Sequence, residues 1–332
     1  MTTLTRRSVS TVAAACLGAL TVAMPALADT KLRMGWTTSD GANDPYAITA
    51  RMVADEIEKA LPDTFDVAMF PNGQLGDEKQ MLEGLNFGTL DMAIITNAVI
   101  ANIEPAFQLN DMPFLYSSEA QAHDVLDGEV GETLLGKLES NGIVGLGFAE
   151  GGFRHMINNK RPVAKPEDVA GVKYRVMQNP VFIGMFDALG GNATPMTWGE
   201  TYTATQQGTI DGLEIPLAVI ASNKYADVTK YLSLTKHTYS ALGVLASKRF
   251  YDGLDADRQQ ALREAVAKAI ARQREQVAAN ADAVIAELKD AGMEVNEIED
   301  ADAFRSKVSD VYETFKPEIG ADLFDKALAQ VK

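Results

Sequence analysis

Residues 65–96 read "FDVAMFPNGQLGDEKQMLEGLNFGTLDMAIIT". "FDVAMF" has the composition of a β-strand, and "PNGQLG" is a turn that ends it. "DEKQMLEGL" reads as a helix with Asp77 near its start, and "LDMAIIT" as the next strand. Upstream, "TKLRMGWTT" is a short strand. Between it and Phe65, "YAITARMVADEIEKAL" carries apolar residues at helical spacing: Ile48, Met52, Val53, Ile57 and Leu61. The order β-α-β-α-β predicts an open α/β sheet.

The pattern continues downstream. "EPAFQLNDMPFLY" interrupts it with two prolines, "SEAQAHDVLDGEVGETLLGKLESNG" is helical, and "IVGLGFAE" is a strand. A second unit begins near "GGFRHMINNKRPV". In it "KPEDVAG" is a short helix, "VKYRV" a strand and "PVFIGMFDALG" a helix. "TPMTWGETYTATQQG" holds a further helix, with Thr197 and Glu200 spaced as a capping box. "TIDGLEIP" is strand-like, and "LGVLASKRFYDGL" looks like a return to the first unit. Residues 255–291 form one long helix with a narrow stripe of Leu262, Val266, Ile270, Val277, Val284 and Leu288. The length prior favours two domains. We place the first at 29–151 plus 241–280, the second at 152–240 plus 281–332, and the long helix across both.

The amino end carries Arg6 and Arg7, an apolar run of about 15 residues, and the small-residue pattern Ala26-Leu27-Ala28. That is the plan of a secretory signal peptide cut after Ala28, and the run is short for a membrane span. Sec export is the default, and the paired arginines also allow the twin-arginine route. Cys16, the only cysteine, falls inside the apolar run, so the exported chain would be held together without disulfides. Removing Arg6 and Arg7 leaves 28 basic against 46 acidic side chains, a net charge of −18. Such a surface repels nucleic acid and, at long range, small organic acids. A site for an acid therefore needs local positive charge.

Several chemistries lack their residues. His123, His155 and His237 are scattered without metal-ligand spacing, so no metal or other cofactor is expected. The glycine-rich "GLGFAEGGF" lacks the spacing and the strand-turn-helix order of a phosphate loop. No nucleophile motif stands out. The arginines are more informative. In "GVKYRV", residues 171–176, Val172, Tyr174 and Val176 alternate with Lys173 and Arg175, which puts Arg175 at the carboxyl end of a strand. Ligands of open α/β sheets gather outside those ends. Arg154 lies 21 residues earlier, in "GGFRH". Two guanidinium groups can grip a carboxylate bidentately. Trp198, at a helix amino end, either packs in the core or covers a ligand's carbon skeleton. Glu214 either orients an arginine or accepts hydrogen bonds from ligand hydroxyls.

Taken together, these motifs resemble the DctP-type extracytoplasmic solute receptors of tripartite ATP-independent periplasmic (TRAP) transporters. The matching stretches are "FPNGQLGDEKQMLEGLNFGTLDMAI" at 70–94, "DMPFLY" at 111–116, "GFRHMINNKRPVAKPEDVAGVKYRV" at 152–176 and "ATPMTWGETYTATQQGTIDGLEIPLA" at 193–218. The resemblance implies a two-domain periplasmic-binding-protein fold, type II-like, with a long C-terminal bracing helix. It implies that Arg175 makes the salt bridge to a ligand carboxylate and that Arg154 is a second anion contact. Where some relatives carry asparagine before the proline of "DGLEIP", this chain has Ile215, so an apolar wall is expected there.

The expectation is a monomeric periplasmic receptor, not an enzyme, that delivers a small organic acid to TRAP membrane subunits. Gln178, Asn97 and Thr37, placed at strand ends, would read ligand hydroxyls. Polar loops and Gln178 point to a sugar acid such as a uronate or aldonate, with a C4-dicarboxylate or 2-oxo acid as the alternative. A secreted carbohydrate-active enzyme, which would need two carboxyl groups facing one cleft, and the sensory partner of a signalling receptor stay open as other classes.

Overall fold

The computed structural model describes residues 30–331. The expected export signal, its cleavage point and Cys16 lie outside the described residues. Among the described residues, nine strands form one mixed sheet: β1 Thr30–Gly35, β2 Phe65–Phe70, β3 Met92–Thr96, β4 Ile143–Asn158, β5 Lys173–Val176, β6 Asn192–Pro195, β7 Gly212–Pro216, β8 Tyr231–Ser247 and β9 Glu294–Glu297. The order is β2-β1-β3-β8-β4-β7-β5-β6, with β9 beside β8. β1 is parallel to β2 and β3, and β5 is parallel to β6 and β7. Between these two parallel blocks run β4 and β8, antiparallel to each other and to the blocks' inner strands β3 and β7.

The two long strands are the main difference from the sequence expectation. "IVGLGFAE" and "GGFRHMIN" are one strand of 16 residues, and β8 has 17. Each therefore belongs to both parallel blocks. Their pairing shifts register at Gly145/Gly147, Glu150/Gly152 and Arg154/Met156. Such bulges bend a strand and sharpen its twist. Glycine is required at the middle one. Gly152 has φ +97°, and a Cβ on Gly151 would come within 2.4 Å of the Ser240 carbonyl oxygen. The glycine-rich stretch serves this crossing.

Side chains alternate between the two faces of the sheet, so the sheet is buried on both sides. In β3, Met92 and Ile94 join one apolar cluster while Ala93 and Ile95 join the other. The helix Pro45–Ala60 and the long helix Ala256–Asp290 cover one face. The helices Glu78–Phe87 and Pro180–Ala188 and the carboxyl-terminal helices bearing Phe304, Phe315 and Phe324 cover the other. The long helix buries Leu262, Val266, Ile270, Val284 and Leu288, and also the polar Gln273. The Gln273 amide accepts from Glu150 N at 2.9 Å and donates to Glu150 O at 2.7 Å. The gap in the apolar stripe thus satisfies both backbone groups of a residue at the bulge, which burial would otherwise leave unpaired.

Local signals act as the sequence predicts at the first helices. Asp44 caps Pro45–Ala60 by accepting from Tyr46 N and Ala47 N. Asp77 and Gln80 form a reciprocal capping box on Glu78–Phe87, which ends at Gly88 with φ 71°. The box expected at Thr197 does not form. The Thr197 hydroxyl donates to the Glu200 carboxylate at 2.8 Å and accepts nothing from the helix Trp198–Gln206. The Glu200 carboxyl, three residues on, takes the hydroxyl instead.

Candidate functional site

The carboxyl ends of the parallel strands converge on a cleft. β1 runs out into Thr37 and Thr38, and β5 carries Arg175 one residue before its end at Val176 and leads to Met177 and Gln178. β6 leads to Met196, Thr197 and Trp198, and β7 ends at Ile215 and Pro216. Two adjoining cavities share Thr37, Glu78, Arg175, Met177 and Trp198. The first also reaches Gln178, and the second reaches Arg154, Ile215 and Tyr46. The site therefore lies where the strand ends of two parallel blocks face each other, the placement expected for a ligand of an open α/β sheet.

The two arginines differ in their partners. Arg154, in β4, gives Nε to Glu214 Oε2 at 2.5 Å and Nη2 to Glu214 Oε1 at 2.9 Å. Nη2 also reaches the Glu214 carbonyl at 2.6 Å, and Nη1 reaches Ser240 Oγ at 3.4 Å. Glu214 is fully buried and also faces His237 Nε2 at 3.2 Å. Burial alone would push the Arg154 guanidinium down and the Glu214 carboxyl up. The pairing overrides both, leaving Arg154 raised and Glu214 lowered, so the pair stays ionised. Of the two roles open to Glu214, the geometry provides the orienting one.

Arg175 has no such partner. Its Nε and Nη2 donate to the Met196 carbonyl at 2.9 and 2.7 Å, and Nη1 approaches Met177 Sδ at 3.3 Å. Among the described residues no carboxylate lies within 4.0 Å of it. It is only 2% exposed. Burial lowers its pKa; the Glu214 charge offsets part of that, and the Arg154 charge adds to it. A guanidinium has five N–H donors. The contacts present use three, so Nη1 and Nη2 each keep one, and two parallel donors are the geometry that grips a carboxylate. A buried charge without a partner is costly in the empty protein.

The other expected residues divide. Thr37, Gln178 and Trp198 line the cleft. Trp198 is half-buried and packs on Tyr225 with ring centroids 5.6 Å apart. Ile215 stands in the wall beside Pro216 and Val219, as an apolar surface. Asn97 is not brought to the cleft. It opens the short turn Asn97–Ile100 after β3, and its amide donates to Phe107 O at 2.8 Å. Strand-end position alone does not distinguish a residue facing the cleft from one folded back under it. His155 is buried and held neutral, its pKa pushed down to about 3 by burial, next to the positive charge of Lys236. Among the described residues no cluster of histidines and acids could hold a metal.

One residue not singled out from the sequence belongs to the site, and a second lies beneath it. Glu78, first residue of its helix, is 7% exposed and lines both cavities. Its Oε1 accepts from Thr96 N at 2.8 Å. Burial raises its carboxyl to about 7 despite that bond and the nearby arginines. Tyr225 is buried beneath Trp198, and its hydroxyl has no partner among the described residues. The available signal for Glu78 was an acid at the amino end of a helix that opens toward strand ends.

Residues 37–318 match the family described as bacterial extracellular solute-binding protein, family 7 (DctP). This chain belongs to that family. It is 36% identical over 310 residues to the 2,3-diketo-L-gulonate-binding periplasmic protein YiaO of Escherichia coli K12, covering 92% of this chain and 93% of that one. A TRAP periplasmic solute-binding protein from Polaromonas sp. JS666, solved bound to D-erythronate, has a TM-score of 0.88 and 36% identity. The match covers 91% of this chain and 99% of that one. The sugar acid binding protein DctPAm of Advenella mimigardefordensis, in complex with galactonate, also has a TM-score of 0.88. It is 33% identical, over 91% of this chain and 98% of that one. The fold is that of the two-domain TRAP receptors, and the protein is an extracytoplasmic solute receptor rather than an enzyme. None of the described helices is long and apolar enough to cross a membrane.

Proposed function

We propose that this protein captures a hydroxylated organic acid, an aldonate or uronate, and delivers it to TRAP membrane subunits. The observation that carries the proposal is Arg175: a buried guanidinium, without a carboxylate partner among the described residues, that borders the cleft with one N–H each on Nη1 and Nη2 unused. The ligand carboxylate completes its coordination. Arg154, held rigid by Glu214, adds a second positive field behind it. Trp198 and Ile215 wall the carbon skeleton, while Thr37 and Gln178 offer hydrogen bonds to hydroxyls. Support for the ligand class comes from the relatives described above, which carry diketogulonate, erythronate and galactonate in their names.

Residues 1–28 act as the export signal, with cleavage after Ala28 and a periplasmic, monomeric product. The chain divides at the glycine bulge of β4 and the facing part of β8, giving domains 29–151 plus 241–280 and 152–240 plus 281–332. Closing the two domains buries the ion pair in a drier site, which strengthens it.

A thermal-shift screen of ligand-stripped protein tests the proposal. A ligand at a hundredfold excess over its Kd adds about 2.7 kcal/mol to the folded state. Aldonates or uronates should raise Tm, and their neutral alcohol analogues should not. No rise with any carboxylate would overturn the receptor assignment. A rise with succinate alone would move the ligand to the dicarboxylates.

A further inference from the structure

The wall of the cleft has a second side. Pro216 borders the cleft and also a cavity of about 330 Å3 between the sheet and the long helix. The walls of this cavity are largely apolar, with Ile48, Phe153, Leu217, Val277, Val284 and Ile285. The glycine bulge of β4 lines it too, through Glu150, Gly151 and Gly152.

Glu150 is 2% exposed. Its Oε2 faces His123 Nε2 at 2.7 Å and accepts from the Tyr239 hydroxyl at 2.8 Å. Its Oε1 is buried and has no hydrogen-bond partner among the described residues. A buried polar atom of this kind calls for a donor. There is room for one beside it. A Cβ built on Gly152 would stand 3.9 Å from Glu150 Oε1 and 3.7 Å from Pro216 Cβ, with nothing nearer. The side-chain volume that Gly152 lacks is thus open space flanked by Oε1, and all three residues line the cavity. The charges there favour a cation. Glu119, Glu150 and Asp282 face a single basic side chain of the lysine or arginine type, Lys236. The Lys236 ammonium lies over the Phe153 ring, 5.9 Å from its centroid, and His155 is neutral.

We propose that this cavity is a second small-molecule site, which takes a primary amine on an apolar body. The ammonium donates to Glu150 Oε1, and the body lies along the apolar walls. The site goes beyond the acid-receptor reading, since it uses neither Arg154 nor Arg175. The two sites select opposite charges: a carboxylate here would meet net negative charge beside a buried acceptor, where such repulsion is strong. A neutral alcohol of the same shape can donate to Oε1 but brings no charge, so it is held less tightly.

The test uses one carbon skeleton with two head groups, 2-phenylethylamine and 2-phenylethanol. Each is titrated calorimetrically, at about pH 7, into the full exported chain, Glu150→Gln and Ala281→Phe. Neither probe has a carboxylate to offer Arg175. The wild type should bind one equivalent of the amine more tightly than about 1 mM. It should prefer the amine to the alcohol by about 10- to 100-fold, the value of a hydrogen bond to a charged group. Glu150→Gln keeps an oxygen for the Tyr239 hydroxyl and sets an amide N–H in place of Oε1, so it should lose that preference. Ala281 borders the cavity from an exposed position on the long helix. Ala281→Phe should fill the space and abolish binding of both probes. A wild type that takes up no amine, or holds both probes equally, would overturn the assignment, as would an unchanged preference in Glu150→Gln. Should Glu150→Gln not fold, as judged by its thermal melt, Ala281→Phe decides: amine bound as in the wild type sinks the site.

Discussion

Arg154 and Arg175 are both buried, both border the same cleft and both stand near the crossing of the sheet. Yet one has a carboxylate partner inside the fold and the other does not. Arg154 is locked by a bidentate carboxylate that itself faces His237. Arg175 is held only by a carbonyl and a thioether sulfur. The difference separates two uses of the same side chain. The first is a fixed part of the fold that projects a charge. The second is a receptor group whose partner arrives from outside. A buried charge paired inside the chain supports the fold when intact and damages it when broken. A buried charge without an internal partner weakens the empty fold and is compensated by ligand.

The comparison can be broken most forcefully at Arg154. Arg154→Ala should destabilise the protein by about 3–5 kcal/mol in urea melts, because Glu214 is left buried and ionised without its partner. A loss below about 1 kcal/mol would show that the pair is not structural. At Arg175 the expected pattern is the opposite. Arg175→Ala should cost about 2–5 kcal/mol of ligand affinity by calorimetry and less than about 1 kcal/mol of stability without ligand. A strongly destabilised Arg175→Ala protein would mean that the two arginines are alike after all. The smallest effect concerns Asp111, a buried acid that forms an ion pair with neither arginine among the described residues. Its carboxyl is raised to about 8, by burial first, although Asn179 donates to it at 2.9 Å. Between about pH 4 and pH 8 the folded state keeps a proton that the unfolded chain has lost, so this group makes stability fall as pH rises. Asp111→Asn should flatten that decline, seen by comparing urea midpoints at the two ends of the window. An unaltered slope would remove Asp111 from the account.

Much of this molecule is readable from local pattern. The β-α-β-α-β opening, the Asp77 cap, the boundaries of the long helix and the strand carrying Arg175 near its end follow from periodicity and capping chemistry, which act over a few residues. The sequence singles out Arg154 in the segment "GGFRH" and Arg175, Trp198, Thr37 and Gln178 at or just past strand or helix ends, and the fold brings all five to one cleft. Asn97 obeyed the same rule and failed, because its amide found a closer acceptor in Phe107 O. Glu78 escaped notice because a helix-starting acid is ordinarily explained by its own helix.

The sequence by itself determined the elements, the charge contrast between an acidic surface and a basic site, and the family. These depend on spacing and composition along the chain. Tertiary structure alone decided that "IVGLGFAE" and "GGFRHMIN" are one strand shared by two parallel blocks, since the glycine bulge makes sense only against β8. It also decided which arginine is free. Glu214 lies 60 residues from Arg154 and 39 from Arg175 in the chain, so separation along the sequence favoured the wrong partner. β4 and β7 lie side by side in antiparallel register, with Arg154 opposite Pro216 and Met156 opposite Glu214. That pairing brings Glu214 to Arg154 and leaves Arg175 free for the ligand.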